Sequence, residues 1–367
     1  MTASLGYTDQ WSIDQDRKKI VGASLVLWGL WYDEGRWFAK WCPRSRVIQR
    51  IALDLLRHDL KPHLSRRCKH LKGHGGVKGT VRYLRRVVDR YRYVARFDVM
   101  AYYESVDHAL LRGLLDRAGI DADLQRIVAD YLALPDRPNT GKGMVAGGSL
   151  SPLLGGLYLT PLDQQMGRDK RIVYLRYMDD FVILARTRWH LKKAIRQIFK
   201  ITTGLKLRLH RKTKCFIGRT AKGFDFLGYT IHPQRRLRPS SVSLHRLVVR
   251  ARRLYEQGGS KARLWEYVTH WYRWLHGGLR GLVNRKGGVK RYYTYANLSN
   301  GDGLWPSLRW LFTPIRFGTG IIKFRLRAPN ASPREGRLAC LGCIKHHQPT
   351  GASLRPPHGK RRDPSVA

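Results

Sequence analysis

The chain has 367 residues, 43% of them hydrophobic, with 11 Trp, so it can bury a sizeable core in one large domain or a few smaller ones and is not a disordered basic protein. Lys and Arg number 70 against 26 Asp and Glu, a net charge of +44 spread along the whole length. An excess of that size cannot be neutralised within the fold and asks for a polyanionic partner; a nucleic-acid enzyme and a ribosomal-type structural protein both fit at this step.

Near the N-terminus, Lys18 and Lys19 precede an apolar run from Ile20 to Tyr32. The run is too short for a bilayer, lacks a small-x-small cleavage site and is followed by the charged Asp33-Glu34-Gly35-Arg36, so a buried helix or strand pair is expected and no membrane segment. Residues 44–65 have helical spacing, with Val47, Ile51, Leu55 and Leu56 on one face and Gln49, Arg50, Arg57 and His58 on another. A glycine-rich basic cluster from Lys69 to Lys78 leads to a second helix through Val81, Leu84 and Val88. Residues 93–99 alternate as a strand, and Ser105 can cap the helix that carries Leu110, Leu111, Leu114 and Leu115. Leu124 to Leu134 reads as helix. A loop with Pro135, Pro138, Gly141 and Gly143 then reaches Gly147-Gly148-Ser149 and a helix from Leu153 to Leu162.

Two short apolar runs, Ile172 to Leu175 and Phe181 to Ala185, flank Tyr177-Met178-Asp179-Asp180 and predict a β-hairpin. A helix near 189–203, short strands at 205–209 and 224–231, and a basic, aromatic helical stretch over 242–283 follow. The last includes Arg250, Arg252, Arg253, Trp265, Tyr267, Trp271, Tyr272 and Trp274. Beyond about 325 the periodicity fades into Pro, Arg, Gly and Ser, which predicts a mobile tail. Strands and helices lack a regular βαβ rhythm, so the expected class is α+β, an antiparallel sheet packed on helices. The cysteines Cys42, Cys68, Cys215, Cys340 and Cys343 suggest no disulfide framework and a reducing, cytoplasmic setting. Cys340 and Cys343 with His346 and His347 lack the usual spacing between zinc-ligand pairs, and zinc binding there is left open.

Adjacent carboxylates at Asp179 and Asp180 repel one another and make sense around a cation, although Asp is also an ordinary turn residue. Asp98 supplies a third acid at the end of the strand over 93–99. Three acids gathered from two such strands can hold a pair of divalent ions for phosphoryl transfer, with Mg²⁺ completing its shell from substrate phosphates.

With these residues in view the chain resembles a bacterial reverse transcriptase, nearest the group II intron-encoded lineage and its domesticated, defence-associated relatives. The resemblance runs from about Arg36 to Val283. Pro43 to Lys61 resembles the fingers helix, and Lys69 to Val81 the glycine- and basic-rich fingers motif. Asp98 with Tyr102, Tyr103 and His108 matches the first palm motif, Gly147 to Leu154 the second and Tyr177 to Asp180 the third. Leu205-Lys206-Leu207 with Lys212-Thr213-Lys214 matches the fourth, and Phe226-Leu227-Gly228-Tyr229 the primer grip.

That resemblance implies a right-hand polymerase: an N-terminal region and fingers over 1–92, a palm with part of the fingers over 93–232, a helical thumb over 240–285 and a basic, partly disordered extension over 286–367. It makes Asp98, Asp179 and Asp180 the catalytic and metal-binding acids, with two Mg²⁺ ions and Mn²⁺ as a substitute. Lys212 becomes the general acid for leaving pyrophosphate. Tyr103 becomes the aromatic gate against a ribose 2′-hydroxyl, Gly147 and Gly148 allow close approach of the nucleotide, and Lys72, Lys78 and Arg82 are triphosphate ligands. The implied partners are an RNA template, which could be a dedicated noncoding RNA, a DNA primer or product and deoxynucleotides; the oligomeric state is left open.

Some positions depart from the family pattern. Val145-Ala146 replaces the usual Pro-Gln, Gly155-Gly156 replaces Ala-Asn, and no Ile-Pro-Lys fingers strand is recognisable. No His-Asn-His endonuclease signature follows the thumb. The expected function is RNA-directed DNA synthesis in a domesticated role such as antiviral defence. Untemplated or protein-primed DNA synthesis by the same site is the enzymatic alternative, and an RNA-binding maturase or structural ribonucleoprotein component is the non-enzymatic one.

Overall fold

Four strands form the sheet on which the rest of the chain is built: β3 (Tyr93–Asp98), β4 (Ile172–Tyr177), β5 (Asp180–Ala185) and β6 (Phe216–Arg219), in the antiparallel order β4-β5-β3-β6. The computed structural model describes residues 10–33, 36–136, 139–210 and 214–284, all within one compact unit. Before β3 come α1 (Gln10–Ile20), the hairpin of β1 (Leu27–Asp33) and β2 (Arg36–Trp41), α2 (Pro43–Asp59) and α3 (Gly76–Val87). Between β3 and β4 lie α4 (His108–Arg117), α5 (Ala122–Ala133), α6 (Ser151–Tyr158) and α7 (Thr160–Arg168), and α8 (Arg188–Gly204) follows β5. The chain then forms a small antiparallel sheet of β7 (Phe224–Phe226), β8 (Tyr229–Ile231) and β9 (Arg238–Pro239), and after it the helices α9 (Ser241–Glu256) and α10 (Lys261–His276).

Strand side chains alternate between the two faces of a sheet, and the alternation here divides the core in two. Ala95, Phe97, Tyr174, Phe181 and Ile183 pack into the larger cluster with α2 and α4 to α8. Val94, Val173, Leu175, Val182 and Leu184 pack into the smaller one with α3, the β7–β8 hairpin and the end of α10. Asp98 and Asp180 share the parity of the second set, so they open on the side that carries the β7–β8 hairpin.

The α+β class is as expected, and several local expectations are corrected. The apolar run over 20–32 is the end of α1 followed by β1, which pairs with β2. Helix α2 buries Ile48, Ala52, Leu53, Leu55 and Leu56, whereas Val47 is 59% exposed; Gln49, expected on the polar face, is buried and accepts from Ser149 Oγ at 2.7 Å. Asp107 rather than Ser105 caps α4, because its carboxylate reaches Leu110 N at 3.1 Å and Ser105 lies in a preceding 3₁₀ turn. The helix expected from Leu153 to Leu162 is two helices broken at Leu159. Residues 205–209 form no strand and make one isolated bridge, Leu209 to Val99, while β6 was not anticipated. The stretch over 242–283 is interrupted by Gly258 and Gly259. The expectations for the tail, including Cys340 and Cys343, and for Lys212 fall outside the described residues. No described helix is long and apolar enough to cross a membrane.

Candidate active site

Asp98 is the last residue of β3 and Asp180 the first of β5, and the two are register partners on neighbouring strands. The Tyr177–Asp180 pair closes the β4–β5 hairpin through a turn made of Met178 and Asp179. Burial, and then the like charges of Asp98 and Asp179, push the Asp180 carboxyl up to about 7. A proton on Asp180 would relieve the repulsion. A divalent cation would relieve it equally, and the donors are the hard oxygens that Mg²⁺ prefers, so the residues fit such an ion. Among the described residues no three ligating side chains form a ready cage.

Residues 98–100 run beside 208–210: Met100 N donates to Arg208 O at 2.7 Å, and His210 N to Asp98 O at 2.9 Å. This pairing brings His210 Nε2 to 3.3 Å from Asp98 Oδ1, and Lys214, just before β6, places its Nζ 3.5 Å from the same oxygen. Sequence reasoning assigned a role in this motif to Lys212, named Lys214 only as part of the motif and passed over His210. Their signal was position within the same basic motif.

Beneath the turn lies a network that no motif announced. Arg176 and Asp163 are both fully buried, and Arg176 Nε donates to Asp163 Oδ1 at 2.8 Å. Tyr174 Oη donates to the same carboxylate at 2.8 Å, and Arg176 Nη2 donates to Gly156 O at 2.9 Å. Burial works against the arginine charge, but Asp163 holds the guanidinium above its ordinary range. Met178, in the left-handed region at φ 55°, has both backbone groups engaged. Its carbonyl accepts from Arg176 Nη1 at 2.9 Å and its N–H donates to His70 Nδ1 at 3.1 Å. His70 Nε2 lies 2.8 Å from Pro152 O, a carbonyl that can only accept, so the proton is on Nε2 and Nδ1 is the acceptor. Burial, foremost, brings the His70 pKa down to about 4, which keeps the ring neutral.

The remaining expected residues separate into groups. Phe226, Leu227 and Gly228 line a cleft of about 930 Å³ together with Asp98, Asp180 and Lys214. Leu227 at φ 50° and Gly228 at φ 83° make the tight β7–β8 turn, on which the Trp274 ring rests. Gly147 is exposed at φ 69° beside Phe38, and the neighbouring Ala146 N donates to Trp37 O at 2.7 Å, which ties this loop to β2. Tyr103 stacks on Tyr102, whose hydroxyl donates to Gly155 O at 2.6 Å. A Cβ at Gly155 would stand 3.2 Å from the Tyr102 ring, a close approach that glycine avoids.

Lys72 is exposed on the wall of a separate cavity of about 810 Å³ with Arg57, Lys61 and Arg66. Lys78 and Arg82 are placed elsewhere. The Lys78 ammonium donates to Tyr229 Oη and Trp274 O and sits 4.5 Å from the Trp274 ring centroid; burial draws its pKa down to about 8. Arg82 donates to Gly278 O. Both connect α3 to the end of α10, and neither lines the carboxylate cleft.

The sequence profile of a family described as reverse transcriptase (RNA-dependent DNA polymerase) matches residues 39–231. Protein YkfC of Escherichia coli (strain K12) is 28% identical over 182 residues, 39% of this chain and 47% of YkfC, so the chain spans about half the length of that curated relative. Among solved structures, apo telomerase from Candida Tropicalis is 12% identical with a TM-score of 0.44, over 78% of this chain and 65% of that one. Telomerase from Candida albicans in complex with a TWJ fragment of telomeric RNA is also 12% identical, with a TM-score of 0.44, over 83% of this chain and 66% of that one.

Proposed function

The chain belongs to the reverse transcriptase family, and from that premise we propose that it is an RNA-directed DNA polymerase that extends a DNA primer with deoxynucleotides. The single observation that carries the reading is the Asp98–Asp180 pair, which opens on a cleft that the Phe226–Gly228 turn also lines, with Asp179 next to it in the hairpin turn. Mg²⁺ ions held by Asp98, Asp179 and Asp180, or Mn²⁺ in their place, would lower the pKa of an attacking 3′-hydroxyl and neutralise charge on the transferring phosphate.

The chain's own residues then bind and orient. The sheet carrying the acids acts as palm, α9 and α10 as thumb, and the region before β3 as fingers. The Phe226–Gly228 turn holds the primer end against the acids. Tyr103, steadied by its stack on Tyr102, turns its ring edge towards the sugar and disfavours a ribose. Gly147 and Gly148 let the nucleotide approach the backbone, and Lys72 is the fingers cation exposed to meet phosphate. Lys78 and Arg82 could serve as triphosphate ligands only by leaving Trp274 and Gly278. Lys212 delivers the proton to the leaving pyrophosphate, while Lys214 adds positive charge beside Asp98. The order of the motifs supports the group II intron-like lineage, and a domesticated role such as defence extends that lineage reading.

Primer extension by the full chain on primed RNA, on primed DNA and without template, in Mg²⁺, tests the proposal. RNA-templated extension by the wild type and a loss of roughly 10³-fold or more in Asp98→Asn are expected. Equal synthesis without template, or an active Asp98→Asn, would overturn it. Sequencing the nucleic acid that copurifies identifies the template and tests the role.

A further inference from the structure

The turn that carries Asp179 and Asp180 is held from both sides at one residue. Met178 is not glycine, yet its backbone lies at φ 55°, a region that side chains resist. Its carbonyl is gripped by Arg176 from within the hairpin, while its N–H is gripped by His70 from the distant segment between α2 and α3. That segment is itself anchored: Arg176 N donates to Arg67 O at 2.9 Å, Lys69 N donates to Arg176 O at 2.7 Å, and His74 Nδ1 bonds to Cys68 O at 2.8 Å. On its other edge the imidazole is fixed by Pro152 O, at the start of α6. His70 is therefore held at both nitrogens, and the acceptor it offers Met178 is set by the donor it presents to Pro152.

We propose that His70 is a positioning residue for the catalytic turn, whose Nδ1 lone pair locks the Met178 amide and so fixes the directions of Asp179 and Asp180. The catalytic half of this inference rests on the polymerase reading; the conformational half does not. His70 does not line the carboxylate cleft. Without its acceptor the Met178 amide loses that partner, the left-handed residue loses one of its two restraints, and the acids sample directions unsuited to a shared ion.

Two substitutions in the full chain separate the two nitrogens. His70→Asn keeps an oxygen near the Nδ1 position and loses the bond to Pro152. His70→Gln keeps a donor near the Nε2 position and loses the acceptor for Met178. Hydrogen–deuterium exchange of the Met178 amide and steady-state extension of a primed RNA are then measured with melting temperature. Slow exchange is expected in the wild type and in His70→Asn, with kcat within about threefold of one another. His70→Gln should exchange fast and lose about tenfold or more in kcat, with KM for deoxynucleotide, primer–template Kd and Tm unchanged. Equal exchange and kcat in the two variants, or losses that track Tm, would overturn the proposal. Fast exchange of the Met178 amide in the wild type would do so whatever the variants show. A wild type that extends no primer would remove the polymerase reading, while the exchange contrast still decides whether His70 holds the turn.

Discussion

Asp180 is raised to about 7 because it is buried beside two like charges, so the residue most central to the proposed chemistry works against the fold that holds it. Asp180→Asn should abolish extension and raise stability by on the order of 1 kcal/mol, read as a higher Tm without divalent ions. A lower Tm would mean that the carboxylate is paired rather than repelled. His70 has the opposite sense. Its folded pKa of about 4 lies below the ordinary 6.5, so between those values the unfolded chain takes up a proton that the folded ring refuses. Its contribution is complete above about pH 6.5 and is lost as pH falls towards 4, by a few kcal/mol at most. The urea midpoints of wild type and His70→Asn should therefore keep a constant difference above that window and move relative to one another within it. A pH-independent difference would place the imidazole in a wetter setting.

The elements are held to the site by close approaches that only small residues permit. A Cβ on Gly148 would collide with the Tyr131 hydroxyl, which bonds Ser151 Oγ at 2.7 Å and cannot easily move. Gly148→Ala should cost about 2 kcal/mol or more, with part recovered when Tyr131→Phe removes the oxygen; chemical denaturation of the single and double variants measures both. What was legible in the sequence at this scale followed periodicity and motif. Helix α3 and the β4–β5 hairpin were read correctly, because Val81 and Leu84 keep helical spacing and the Tyr177–Asp180 tetrad is bounded by two apolar runs. Strand β6 was missed because Phe216 to Arg219 is a short edge segment that contains a glycine and alternates only weakly. The α4 cap was misplaced because Ser105 and Asp107 are both good caps, and the backbone turn before the helix selects between them.

At the scale of the whole molecule, the net charge of +44 predicts how it meets its partner. Affinity for primed RNA should fall by roughly 10³-fold or more between about 50 and 200 mM salt if six or more phosphates are contacted; filter binding across that range is the measurement. An affinity insensitive to salt would sever the link between charge and nucleic acid. The same scale explains the placement of Lys78 and Arg82. Their sequence position beside the fingers motif suggested phosphate, but α10 returns to pack on α3 and the β7–β8 turn, where Trp274 takes Lys78 and the Gly278 carbonyl just after the helix takes Arg82.

The sequence by itself determined the α+β class, the family and the placement of Asp98 and Asp180 at strand ends, because each leaves a local trace: hydrophobic period, ordered motifs, acids beside apolar runs. Tertiary structure alone decided what surrounds them. Asp163 and Arg176 meet across a buried layer, and Met178 takes its restraint from His70, 108 positions away along the chain. His210 reaches Asp98 by the pairing of a segment that forms no strand, and Lys214 by its place just before β6, the edge strand beside β3. Such contacts depend on which distant backbone passes within hydrogen-bonding distance, and no local pattern of residues encodes that.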